Sequence, residues 1–75
     1  MAQNKAKTAL SGTISPEDFN HICISGDVDN IVNLFCIMMT LGQTGEAERI
    51  CTQVISDYPQ RRELMLSSIS KAYSQ

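Results

Sequence analysis

The chain has one histidine, no tryptophan, two prolines and no apolar run approaching a membrane span. Each scarcity excludes something. A transmembrane helix needs about 18 or more consecutive apolar residues, whereas the longest nearly apolar stretch here is the eight residues from Leu34 to Leu41. The opening "MAQNKAKTALSGT" carries lysines with no apolar segment behind them, which is not a secretory pattern. A cytoplasmic protein with no membrane partner is therefore expected. Six Lys and Arg stand against eight Asp and Glu, for a net charge of −2. The only adjacent cations, Arg61 and Arg62, are followed by Glu63, and a nucleic-acid surface normally shows clustered cations.

Catalytic and metal chemistry is equally thin. His21 is followed two residues later by Cys23, and on a helix that spacing turns the two side chains to different faces, away from a Cys-His pair or a metal site. Cys23, Cys36 and Cys51 are odd in number, are never within three residues of one another and sit among Ile, Met and Val. They read as small buried apolar side chains in a reducing compartment. Asp27 and Asp29 flank Val28 with no calcium loop following, and the turns "SGD" and "GQTGE" lack the Gly-Lys-Ser/Thr ending of a phosphate loop. No catalytic residue, cofactor, metal or small-molecule substrate is expected.

What remains is helix. Residues 1–13 are polar and aperiodic and read as a flexible tail. Residues 14–75 read as one small all-α domain of four helices. In "SPEDF", Ser15 stands at an N-cap, Pro16 at the first helical position and two acids in the first turn. That helix should end near Ser25 at Gly26, with Asp27 capping the next. From Val28, "VDNIVNLFCIMMTL" favours helix and is apolar on more than one face. Gly42 to Gly45 form a turn with Thr44 as a cap. The helix from Gly45 to Tyr58 places Ala47, Ile50, Cys51, Val54 and Ile55 on one stripe, and Pro59 stops it. A last helix, Gln60 to Ser74, presents Leu64, Met65, Ile69 and Ala72 inward.

The 34 residues from Val28 to Arg61 resemble a single tetratricopeptide repeat, a helical hairpin with Leu, Gly, Ala and Pro at fixed intervals. Leu34, Gly42, Ala47 and Pro59 match in type at the family's spacing. Ile31, Met38, Cys51 and Val54 fall at its other apolar or small positions, and Phe35 replaces a glycine. The helix at 60–74 resembles the one that caps such arrays. The resemblance implies an antiparallel hairpin whose first helix lines a concave face, here Asp29, Val32, Cys36, Met39 and Thr40, joined by Leu66, Ser70 and Tyr73. It also implies a non-enzymatic module that docks a partner helix or peptide. The Lys and Asn of the family's carboxylate clamp are absent, so the tail of a chaperone is not the implied ligand.

A chain this short buries only about 60% of its unfolded surface, and small scaffolds supplement their cores with disulfides, metals or association. Association is the supplement expected here. The partner-binding residues read from the sequence are Val32, Cys36, Met39, Leu66 and Tyr73, and the partner is another protein. Two alternatives stay open: an obligate homodimer whose apolar face satisfies itself, and a small DNA-binding regulator reading with Glu46 to Ser56.

Overall fold

Ser15 and Asp27 begin their helices as capping chemistry requires. In a computed structural model that describes residues 13–75, the Ser15 hydroxyl accepts from the Asp18 backbone N–H at 3.4 Å and the Asp27 carboxylate from that of Asn30 at 3.0 Å. These caps open α1 (Pro16–Ser25) and α2 (Val28–Thr40). They are followed by α3 (Thr44–Asp57), a 3-10 turn (Pro59–Arg61) and α4 (Arg62–Ser74). The described residues are all-α. Residues 1–12, expected as a tail, lie outside the described residues.

α2 is closed by Gly42, which lies two residues past its last helical residue and whose φ of 81° is in the left-handed region. The N–H groups of Gly42 and Gln43 bond back to the carbonyls of Met39 and Met38 at 3.1 and 2.7 Å, the Schellman closure that needs such a residue. Gly26 works differently. Its φ of −90° suits any residue, but an added Cβ would stand 2.8 Å from the Ile22 carbonyl oxygen.

Two expectations are corrected at the turns. Thr44 is not a cap: it is the first residue of α3, and Gln43 precedes the helix without a capping bond. The Gln43 amide instead accepts from the N–H of Ile14 at 2.9 Å and donates to its carbonyl at 3.1 Å. The last helix begins at Arg62 rather than Gln60, because Pro59 to Arg61 form a separate tight turn after Tyr58 leaves the helix at φ −130°, ψ 76°.

Packing follows a two-layer order. α1 packs on α3, and α2 packs on α4 most extensively of all, while the α2–α3 hairpin ties the layers together. α1 and α4 barely meet. Each of the last two helices thus lies chiefly on the helix two before it, rather than closing a ring. Phe35 sits at the centre with no exposure, edge to face with Phe19 at 6.1 Å and with Tyr73 at 5.5 Å between ring centroids. Around it lie Ile31, Met38, Ala47, Cys51, Val54, Met65 and Ala72. Ser68, not expected inside, is fully buried and donates its hydroxyl to the Leu64 carbonyl at 2.8 Å.

The two glycines of the hairpin turn should respond oppositely to alanine. Gly45 lies inside α3 and an added Cβ meets nothing within 4 Å, so Gly45→Ala should stabilise by about 0.5–1 kcal/mol. Gly42→Ala should cost about 1–2 kcal/mol from the left-handed backbone alone. Urea titrations of the two variants should move in opposite directions, and a shared direction would refute this account of the turn.

Candidate functional surface

No three His, Cys, Asp or Glu side chains come together to hold a metal among the described residues, and no described helix is long and apolar enough to cross a membrane. His21 is exposed and Cys23 buried, so the two do point apart. A shallow groove of about 280 Å³ between α1 and α3 is lined by Pro16, Glu17, Asn20, Arg49, Ile50 and Gln53. It offers one carboxylate and one guanidinium and no nucleophile, so it holds no catalytic set.

The surface itself is more informative. The apolar run from Leu34 to Leu41 divides into three classes. Phe35 and Met38 are fully buried, while Leu34, Cys36 and Met39 are half-buried against the core. Ile37 and Leu41 are 45% and 37% exposed. Leu34, Ile37 and Leu41 fall at i, i+3 and i+7, hence on one stripe of α2. Asn30, Asn33 and Thr40 are its exposed helical neighbours, so the stripe has no ionisable side chain within it.

The five residues read from the sequence as partner-binding do not form one open face. Val32 is buried at 8% exposure, and the half-buried Cys36 points its thiol at the Ala72 carbonyl of α4, 3.9 Å away. Cys36 belongs to the seam between α2 and α4, and Val32 to the core cluster. On the Cys36 side the cover is α4. Met39 is half-buried. Leu66 and Tyr73 are on the surface, 45% and 50% exposed.

On α4, Leu66, Ile69 and Tyr73 again fall at i, i+3 and i+7, with Ile69 half-buried and the exposed Arg62 one turn earlier. The Tyr73 hydroxyl donates to the Glu48 carboxylate of α3, which raises the Tyr73 pKa above its ordinary value by stabilising the protonated phenol. That bond turns the Tyr73 end of the stripe towards α3. The sequence analysis included Leu66 and Tyr73 and read Ile69 as inward, with which its half-buried packing against the core agrees, but it missed the α2 stripe. Its signal was present in the spacing of Leu34, Ile37 and Leu41.

Comparison of the chain with protein-family models, with curated proteins and with solved structures gives no match.

Proposed function

We propose that this chain is a non-enzymatic protein-binding module that docks an amphipathic helix of another protein along the exposed stripe of α4. The carrying observation is the stripe of Leu66, Ile69 and Tyr73, two of whose side chains remain about half exposed. Soluble surfaces tolerate scattered apolar residues, but an aligned triplet beside a second helix is the geometry of helix-in-groove recognition. The two-layer order supports the identity of the occupant. A helix continuing that order would lie on α3 and against α4, where the Tyr73 end of the stripe is turned. The fitting partner is therefore a helix with apolar residues at i, i+3 or i+4, and i+7, and an acidic residue to meet Arg62.

Tetratricopeptide likeness remains part of this reading. It is supported by the left-handed Gly42, the fully buried Ala47, Pro59 after α3 and the packing of alternate helices. The buried Phe35 is its main departure. The DNA-binding reading is weakened by α3, where Arg49 lies 3.6 Å from Glu46 and the Glu48 carboxylate faces Tyr73. Self-association is the second reading, favoured by the α2 stripe, whose uncharged surroundings impose no like-charge repulsion between copies.

Three chains separate these readings: the unaltered protein, Leu66→Glu and Ile37→Glu. Photo-cross-linking at position 66 identifies the partner, which is then purified and titrated. Docking on α4 predicts that Leu66→Glu weakens binding at least tenfold while helicity and melting persist, and that Ile37→Glu binds normally. Unchanged affinity in Leu66→Glu would remove the docking proposal. A dimer mass in solution that Ile37→Glu alone dissociates would establish the second reading.

A further inference from the structure

The seam between α1 and α3 is held at both ends by polar clamps and contains two thiols. At one end the Gln43 amide grips both backbone groups of Ile14. At the other, the Arg61 guanidinium donates to the carbonyls of Cys23 and Gly26 at 2.6 to 3.0 Å. The helices therefore run side by side in a fixed register. Cys23 lies nine residues past Ile14, and Cys51 eight past Gln43, which brings the two thiols to the same level. Both have no exposure and belong to one core cluster.

From this placement we propose that Cys23 and Cys51 form a dithiol that reacts with hydroperoxides and closes to a disulfide, fastening α1 to α3. The local electrostatics distinguish the two sulfurs. Cys51 donates its thiol hydrogen to the Cys23 sulfur, which holds the Cys23 pKa below its usual value, with help from Arg61 and against the effect of burial. The same bond, burial and the charges of Cys23 and Glu48 push Cys51 upward. The Arg61 guanidinium, bonded to the Cys23 carbonyl, sets its charge on the Cys23 side of the pair, so Cys23 is the attacking sulfur and Cys51 the resolving one.

In the first step the Cys23 sulfur attacks one peroxide oxygen. The S–O bond forms, the O–O bond breaks, and the departing hydroxide takes the thiol proton as water. In the second step the Cys51 sulfur displaces the sulfenic oxygen, which leaves with the second thiol proton as water. Two electrons pass from the sulfurs to one peroxide, and two thiols become one disulfide. Cys36 takes no part, because its thiol sits across the α2–α4 seam against Ala72.

The test uses the full chain carrying Cys36→Ser. It is treated while folded with hydrogen peroxide, quenched, then unfolded in N-ethylmaleimide and weighed. The proposal requires a mass lower by about 2 Da with no maleimide adducts, restored to two adducts by a reductant. It also requires a melting point raised by several degrees. Chains with Cys23→Ser added should show no such loss of mass in the monomer. Full alkylation of both thiols after peroxide, oxygen adducts in place of the loss, or closure only after urea unfolding would each overturn it. If Cys36→Ser fails to fold, fragment spectra of the oxidised unaltered chain assign the linked pair, and a Cys23–Cys36 or Cys36–Cys51 link would equally refute the proposal.

Discussion

Phe35→Ala should remove about a third or more of the domain's stability at 25 °C. The side chain is fully buried and stacks edge-on against Phe19 from α1 and Tyr73 from α4, so its loss opens a cavity where three helices meet. Large-to-small changes of this kind cost about 3–5 kcal/mol, and a domain of this size has only about 3–9 kcal/mol to lose. Far-ultraviolet circular dichroism and a urea titration should show a weakened or absent cooperative transition. Phe35→Gly should be no better, although glycine is what the repeat pattern has there, because the room in this protein is filled by an aromatic ring. Phe35→Leu should retain the fold with a smaller loss. A Phe35→Ala chain melting within two degrees of the parent would contradict the central place given to this residue.

That same residue marks the limit of what the sequence discloses. Caps and stops were legible because they are local: Ser15, Pro16, Asp27, Gly42 and Pro59 act within a few residues of themselves, and the structure uses each as their chemistry dictates. Thr44 was misread because a threonine before a helix is a generic capping signal, while the true pre-helix residue, Gln43, reaches 29 positions back to Ile14. The apolar run of α2 was legible as excess but not as a division. Periodicity shows that Leu34, Ile37 and Leu41 share a stripe, and only the position of the other helices leaves that stripe uncovered. Cys36 went to the α2–α4 seam for the same reason: nothing local to α2 says that α4 will lie along it.

Arg61 is the clearest residue that sequence reasoning passed over, and Arg61→Ala should cost about 2–3 kcal/mol. In the sequence it is one of two adjacent arginines and figured only in the count of charge. In the structure it is half-buried, and its guanidinium donates to the carbonyls of Cys23 and Gly26. Those carbonyls lie at the end of α1, where the helix leaves backbone acceptors unpartnered and its dipole favours a cation. Removing the guanidinium leaves two partly buried acceptors without their donor, and hydrogen bonds to charged groups contribute about 1.5–3 kcal/mol. Arg61→Lys should recover the charge but not the fork that spans both carbonyls, so its loss should be intermediate. The neighbouring Arg62 is exposed and makes no such bonds among those described, so Arg62→Ala should stay within about 0.5 kcal/mol of the parent. Amide hydrogen exchange adds a local readout. In Arg61→Ala the last turn of α1 should exchange faster while the α2–α3 hairpin keeps its protection. Equal destabilisation by the two alanine variants, or uniform loss of protection across all four helices, would show that Arg61 acts as surface charge and not as the clasp on α1.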